Sequence, residues 1–248
     1  MIQSQLRNAC YELSCPACSG TIYGYTLTML EDRQNWERWW SSNLGKRTYL
    51  HNGVEVAAPS LENFRSWMGD EFSEDRIFVR GYFNSNGSFL DVGCGAAPEY
   101  EGLKSVLPNV SYTGVDITPE LVEFNQSREI NCFLGSANSL PFEENSFDML
   151  HCRHVVEHMQ DINLPLSEFI RVASDKVFLV FFIGPSFFIT KKKLDNEGTD
   201  GEVFHNSYSR RNIKKFLKQH KKVSKFKFIK LPKPSTYLLH IELLKNLN

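Results

Sequence analysis

A short glycine-containing loop after an apolar stretch is the first part of the chain that could bind a ligand. Phe89 and Leu90 precede Asp91-Val92-Gly93-Cys94-Gly95. Glycines after a first strand let the backbone turn tightly and approach a ligand without a Cβ in the way. Pro98 stands where a dinucleotide fingerprint has its third glycine, and Asp91 would repel a pyrophosphate. A ligand with an amino group and a positive centre fits this loop better.

A second acidic residue stands 21 residues beyond Gly95. Asp116 ends the segment Tyr112-Thr113-Gly114-Val115-Asp116, which is predicted to be the next strand. A carboxylate at such a strand end can accept hydrogen bonds from both hydroxyls of a ribose. We therefore predict that Asp116 binds a ribose, rather than being only a surface acid at the end of a strand.

The elements that must position these residues alternate from residue 88 onward. Strands are predicted at Phe89–Val92, Val110–Val115, Asn131–Leu134, Phe147–Cys152, Lys176–Ile183, Val223–Leu231 and Thr236–Leu244. Helices are predicted at Pro98–Leu107, from Thr118 onward, at Asn163–Val172 and at Ser209–His220. This alternation predicts an α/β fold of the Rossmann-like, doubly wound kind. Its seven-stranded sheet should be mostly parallel, with an antiparallel hairpin at one edge.

Taken in order, the segments from about residue 87 to residue 244 resemble class I S-adenosylmethionine-dependent methyltransferases of the type-11 group. The matching segments are the Asp91–Gly95 loop, Gly114–Asp116, Ser136–Phe142, Ser146–Leu150 and His154-Val155-Val156-Glu157-His158. The resemblance implies S-adenosylmethionine as the cofactor. It also implies methyl transfer to an O or N atom of a small molecule, such as a sugar, a glycan precursor or a natural product.

By this resemblance, the cofactor would contact residues from four strand ends. The residues implied are Asp91, Gly93, Cys94, Gly95, Asp116, Ile117, Ser136, Ala137 and Arg153. Asp91 and the glycine loop would face the methionine part and Asp116 the ribose, while Ile117 would pack on the adenine. Ser136 stands where the family often has an acid for the adenine amino group, and a neutral hydroxyl is the weaker acceptor.

Histidines on the acceptor side are the candidates for proton transfer. His154 and His158 follow the fourth predicted strand, and His205 lies ahead of the last helix. A base is needed when the acceptor is a hydroxyl, whereas an unprotonated amine needs none. His154, Glu157 and His158 would share a helix face if helical, the spacing that a divalent metal uses, but we expect no metal here.

Residues 1–85 are predicted to form a mostly helical or irregular extension before the methyltransferase domain at residues 86–248. Trp36, Trp39 and Trp40 would share one helix face, which suits either core packing or a lid over the substrate. Cys10, Cys15 and Cys18 resemble part of a zinc knuckle, with His51 as the nearest histidine and no second Cys-x-x-Cys pair. A degenerate, purely structural segment is the favoured interpretation.

Charge and composition indicate which cellular compartment and which kinds of partner to expect. Hydrophobic residues make up 42% and charged residues 23% of the 248 residues, which is typical of a globular chain. No run is long and apolar enough for a membrane span and no signal peptide is visible, so a cytoplasmic protein is expected. Residues 176–233 carry 15 Lys and Arg against 4 Asp and Glu. This basic region suits an anionic small-molecule acceptor, a membrane surface or merely solvent, whereas a nucleic-acid acceptor is disfavoured.

Other functions remain open at this point. The chain could use the cofactor fold only to bind a partner protein, or it could methylate RNA or protein. An NAD-linked oxidoreductase is disfavoured by Asp91 and by the missing third glycine. The sequence does not indicate an oligomeric state.

Overall fold

A computed structural model describes residues 48–51, 54–57, 71–83, 87–187, 190–194, 203–232 and 236–245. Side chains are described for residues 71–83, 87–187, 205–232 and 236–245. The zinc and lid hypotheses, which concern Cys10, Cys15, Cys18 and the Trp36–Trp40 cluster, fall outside these residues. His51 lies in a strand whose side chains are likewise outside them.

The described elements alternate much as expected. The strands are β1 (Thr48–His51), β2 (Val54–Ala57), β3 (Ser88–Val92), β4 (Ser111–Asp116), β5 (Cys132–Leu134), β6 (Phe147–Arg153), β7 (Ala173–Phe181), β8 (Thr190–Leu194), β9 (Val203–Ser207), β10 (Val223–Lys230) and β11 (Tyr237–Leu243). The helices are α1 (Glu74–Arg80), α2 (Pro98–Val106), α3 (Pro119–Ser127), α4 (Asn163–Val172) and α5 (Arg210–Gln219). A 3-10 turn, Val156–His158, follows β6.

Seven of these strands form one mixed sheet in the order β10-β11-β7-β6-β3-β4-β5. β5, β4, β3, β6 and β7 are parallel, while β11 is antiparallel to both β7 and β10. The predicted fold class is thereby confirmed, including the antiparallel hairpin at the edge. The carboxyl ends of the five parallel strands share one rim of the sheet, which is where ligands bind in open α/β folds.

Apolar side chains cover both faces of the sheet. One cluster joins the strands to α4 and α5 through residues such as Phe169, Ile213 and Leu217. The other joins them to α1 and α2 through Val79 and Leu103, with Phe83 packed against it. Residues 74–83 therefore pack on the sheet although they precede the predicted boundary at residue 85.

Two short hairpins were not predicted. β1 pairs with β2 within the N-terminal extension, and β8 pairs with β9 between β7 and α5. Within the part of the chain that the structure describes, no helix is both long and apolar enough to cross a membrane.

Candidate cofactor and acceptor site

The glycine loop turns sharply at the carboxyl end of β3. Gly93 and Gly95 have φ angles of 71° and 56°, a region that favours glycine. The amides of Gly93 and Cys94 both donate to the Val115 carbonyl, at 2.7 and 3.1 Å. A Cβ on Gly93 would lie 2.2 Å from Val155 Cγ2. The loop is thus packed directly beneath the segment that follows β6.

Asp116 ties the end of β4 to this loop. Its Oδ2 accepts a hydrogen bond from the Gly95 amide at 2.8 Å, and its Oδ1 accepts one from the Thr118 amide at 2.9 Å. Burial raises the pKa of Asp116, although these backbone hydrogen bonds oppose the rise. Each carboxylate oxygen has a second lone pair, so the predicted ribose contact is compatible with both bonds.

Asp91 is held from two neighbouring strands. The Tyr112 hydroxyl donates to its Oδ2 at 3.0 Å, and His151 Nδ1 lies 2.9 Å from its Oδ1. All three side chains are buried. Sequence reasoning missed Tyr112 and His151, because a strand pattern gives no pairing register. His151 is the register partner of Asp91 across β3 and β6.

The Cys94 side chain points away from the loop's ligand side. Its Sγ lies 3.5 Å from Cys132 Sγ, in a small buried cluster with Val122. The hydrogen bond with Cys132 and burial both raise the pKa of the Cys94 thiol. A Cβ on Gly114 would come within 2.8 Å of this sulfur. Gly114 therefore makes room for the buried Cys94 side chain, so any cofactor contact predicted for Cys94 would be made by its backbone.

Ser136, which is predicted to lie along the adenine, makes hydrogen bonds within its own turn. Its Oγ accepts a hydrogen bond from the Asn138 amide at 3.3 Å, and its backbone forms an isolated β-bridge with Ser139. Asn138 is buried, and its Oδ1 has no hydrogen-bond partner among the described residues. An unpartnered buried amide oxygen is what the adenine amino group would satisfy. Asn138, which sequence reasoning missed, is thus a further candidate for this contact beside Ser136.

Helix α1 makes buried ion pairs with the end of β6 and the start of α2, next to the glycine loop. Arg153 donates to Asp75 at 2.7 Å, and Arg76 and Arg80 donate to Glu99 at 2.8 and 2.5 Å. Burial alone would raise the pKa of Asp75, but the charge of Arg153 and its hydrogen bond lower the pKa to about 2. The predicted cofactor residue Arg153 is therefore paired with α1, at the end of β6 nearest the loop.

The three predicted acceptor-side histidines come together around one aromatic ring. The ring centroids of His154, His158 and His205 lie 5.3, 5.4 and 5.3 Å from that of Phe182. The His158 and His205 rings are 4.9 Å apart. We call these four residues the histidine cluster. It lies at the carboxyl ends of β6 and β7, joined through Val155 to the glycine loop.

Buried polar contacts hold the histidine cluster in place. Glu157 Oε1 accepts from the Phe182 and Ile183 amides at 2.6 and 3.3 Å. Asn206 donates to the Met159 carbonyl at 2.7 Å, and the Tyr208 hydroxyl donates to the Val156 carbonyl at 2.7 Å and also to Met159. Burial raises the pKa of Glu157 to about 8. These bonds anchor the β8–β9 hairpin and the end of β7 to the 3-10 turn.

No group of three or more His, Cys, Asp or Glu side chains in the described residues could hold a metal ion. Glu157 is turned inward to the backbone at the end of β7 rather than beside His154 and His158. The helix-face spacing considered for this segment does not occur, since Val156–His158 is a 3-10 turn.

The strand order, the glycine loop and the buried acid at the end of β4 define the class I S-adenosylmethionine-dependent methyltransferase fold. The observed loop suits the cofactor: Gly93 and Gly95 have positive φ angles, and the buried Asn138 Oδ1 has no hydrogen-bond partner among the described residues. Residues 90–181 match the family model described as a methyltransferase domain. This part of the chain is therefore a methyltransferase domain, as the resemblance predicted, and S-adenosylmethionine is its cofactor.

Known proteins agree with this assignment. An uncharacterised methyltransferase of Schizosaccharomyces pombe is 31% identical over 137 residues, covering 50% of this chain and 48% of the relative. A methyltransferase structure from Methanosarcina mazei has a TM-score of 0.54 and 17% identity, covering 68% of this chain and 98% of that one. The 1,6-didemethyltoxoflavin-N1-methyltransferase of Burkholderia thailandensis has a TM-score of 0.52 and 13% identity, covering 75% and 85%. The chain spans about half or less of the length of the curated relatives it matches.

Proposed function

We propose that the protein transfers the methyl group of S-adenosylmethionine to an O or N atom of a small molecule bound at the histidine cluster. The observation that carries this proposal is the convergence of His154, His158 and His205 on Phe182, with Val155 packed on Gly93. Three imidazoles and one aromatic ring thereby adjoin the loop that receives the cofactor.

When bound, the cofactor supplies an activated methyl group on a sulfonium. The chain must then align an acceptor atom with that methyl group and exclude water. Phe182 offers an apolar face against which an acceptor can pack. An imidazole of the cluster can accept the proton that a hydroxyl acceptor loses, and an imidazole has a suitable pKa for this role near neutral pH.

An anionic acceptor is the favoured class within this proposal. Arg210 and Arg211 open α5 directly after Ser209, whose backbone pairs with Ser186 beyond the end of β7. Cations at this rim would attract a carboxylate or a phosphate. The Burkholderia structure holds the small molecule 1,6-didemethyltoxoflavin together with S-adenosylhomocysteine, which supports a small-molecule acceptor on the shared fold.

Ligand binding and methyl transfer test the proposal in turn. We expect calorimetry to detect S-adenosylmethionine and S-adenosylhomocysteine but not NAD. Isotope-labelled S-adenosylmethionine should then transfer label to one member of a panel of carboxylated and phosphorylated sugars and aromatic metabolites. Failure to bind either adenosyl ligand would refute the proposal, and label found only in RNA or protein would replace the acceptor class.

Single-histidine variants test the acceptor side. We expect His205→Asn and His158→Asn to raise KM for the acceptor or lower kcat about tenfold or more, as general-base loss does. Binding of S-adenosylhomocysteine should stay unchanged. His220→Asn is the matched control, because His220 lies at the other end of α5. Equal activity of all three variants would remove the histidine cluster from the acceptor site.

A further inference from the structure

The surface of α5 and the loop after it is unusually rich in positive charge. Between Glu202 and Glu242 the sequence has eleven Lys and Arg residues and no Asp or Glu. Five of them, Arg211, Lys214, Lys215, Lys218 and Lys221, are exposed and form what we call the basic stripe. The first four are spaced at i, i+3, i+4 and i+7 and so share one helix face.

Unlike Lys222, Lys225 and Lys227 nearby, the basic stripe has no partner among the described residues. Lys222 donates to the carbonyls of Arg171 and Ala173, Lys225 pairs with Glu242 at 2.9 Å, and Lys227 lies over the Tyr82 ring. None of the five stripe residues has an ion pair, hydrogen bond or ring contact with the described residues. The charge on this face of α5 is therefore not neutralised within the part of the chain that the structure describes.

This arrangement works against the helix that carries it. Like charges three or four residues apart on a helix repel one another. Arg210 and Arg211 also stand in the first turn, where the helix dipole disfavours cations. The buried face of α5, with Ile213 and Leu217, must hold the helix despite this repulsion. An anionic surface laid against the stripe would remove the repulsion.

One apolar side chain projects beside the stripe. Phe187 is 92% exposed, the most exposed large hydrophobic residue among those described. It follows Ser186, whose carbonyl accepts from the Arg210 amide at 2.8 Å. The exposed ring thus lies close to the first turn of α5. An apolar ring next to a row of cations is the combination that peripheral proteins present to a lipid surface.

We propose that the basic stripe and Phe187 dock the protein on an anionic lipid bilayer. A nucleic acid is the less suitable partner, because proteins that bind single strands combine a basic groove with aromatic rings on which bases stack. Here the aromatic residues of α5 and β10, Phe216, Phe226 and Phe228, pack against the core. The stripe lies on the outward face of a helix, and four of its five members are lysines, which act as point charges.

Docking in this way would bring the acceptor side toward the lipid surface. Tyr208, two residues before α5, donates to the Val156 carbonyl at the base of the histidine cluster. The first turn of α5 is therefore attached to the acceptor site. An acceptor with a lipid anchor could reach the histidine cluster from the bilayer.

Vesicle co-sedimentation tests this surface without requiring methyl transfer. The full chain should sediment with vesicles of equal parts phosphatidylglycerol and phosphatidylcholine, and not with phosphatidylcholine alone. Lys214→Gln with Lys218→Gln should weaken binding about twenty-five-fold, since each lysine near an anionic surface contributes about fivefold. Lys104→Gln with Lys245→Gln removes the same charge elsewhere and should leave binding nearly unchanged. Phe187→Ser should weaken binding severalfold.

Each remaining outcome would overturn the proposal. The outcomes are no sedimentation with either vesicle, equal sedimentation with both, and equal losses in the two lysine pairs. A further one is that the protein binds a labelled RNA strand but no vesicle, and that the Lys214→Gln and Lys218→Gln changes abolish the RNA binding. All the substituted residues are exposed, so each variant should fold normally, and thermal melting of each variant checks this.

Discussion

The cofactor side and the acceptor side of the domain are built in different ways. On the cofactor side, backbone amides of one loop donate to groups on the next strand, as Gly95 does to Asp116 only 21 residues away. On the acceptor side, Asn206 and Tyr208 reach Met159 and Val156 from 47 and 52 residues away. The glycine loop is thus held to β4 by short-range backbone hydrogen bonds, whereas the acceptor side is assembled from separate segments. The two sides touch where Val155 packs on Gly93, so changes away from that contact should affect one side without the other.

The largest expected effect is on the cofactor side, at Asp116. Asp116→Ala removes two backbone hydrogen bonds to a charged acceptor, so we expect a loss of about 3 kcal/mol in the free energy of unfolding. Affinity for S-adenosylhomocysteine should also weaken by more than about 1 kcal/mol if Asp116 binds the ribose. Chemical denaturation and calorimetry measure the two effects.

Asp148→Ala provides a matched control for this prediction. Asp148 also accepts from a backbone amide, that of Ser88 at 2.8 Å, but near the start of β6, away from the glycine loop. It should lower stability without changing cofactor affinity. Unchanged affinity in Asp116→Ala would remove that residue from the ribose role.

A smaller effect is expected at Gly93. Gly93→Ala places a Cβ at a φ of 71° and 2.2 Å from Val155 Cγ2. Strain of this kind costs about 2 kcal/mol, so cofactor affinity should fall at least tenfold as the loop shifts. Gly81→Ala is the control, since its φ is −59° and its nearest neighbour, the Phe78 carbonyl oxygen, is 3.3 Å away. Equal binding by both variants would show that the loop tolerates a Cβ.

The smallest predicted effect concerns Glu157, which helps to hold the acceptor side together. Burial raises the pKa of Glu157 from 4.5 to about 8, so the folded state keeps a proton that the unfolded state has lost. The contribution of Glu157 to the free energy of unfolding is fully present below about pH 4.5 and is lost as the pH rises through about 8. Stability should fall by about 1 kcal/mol between about pH 7 and pH 8, and Glu157→Gln should show a shallower fall in thermal or chemical unfolding. Parallel slopes for the two proteins would contradict the raised pKa.

Sequence reasoning was strongest where a motif is local. The alternation of strands and helices along the chain, the glycine loop and the position of Asp116 at a strand end follow from short segments of sequence. The meeting of His205 with His158 was not derivable in this way, because it depends on the β8–β9 hairpin. The sequence does not predict that hairpin, although it offers His154 and His158 as candidates from their position after the fourth strand and His205 from its position ahead of the last helix.

Residues that act through side-chain contacts between strands were missed for a physical reason. His151 and Tyr112 look like ordinary strand residues, and only the register of β3, β4 and β6 brings them to Asp91. Asn138 could not be singled out from the sequence, because only the structure shows that its side-chain oxygen is buried without a partner among the described residues. The roles given to the cofactor-side residues remain predictions, which the Asp116 and Gly93 variants test.

The ion pairs of α1 bear on where the domain can be cut. Arg80 lies flat on α2, so close that a Cβ on Gly102 would overlap its guanidinium, and with Arg76 it neutralises the buried Glu99. A chain shortened to begin at residue 86 would lose both arginines that neutralise Glu99 and the packing of Val79 and Phe83 on the sheet, so we expect it to be less stable. We therefore predict that residues 74–83 belong to the same folding unit, so that a version truncated at residue 86 would report on a weakened protein rather than on an isolated catalytic domain.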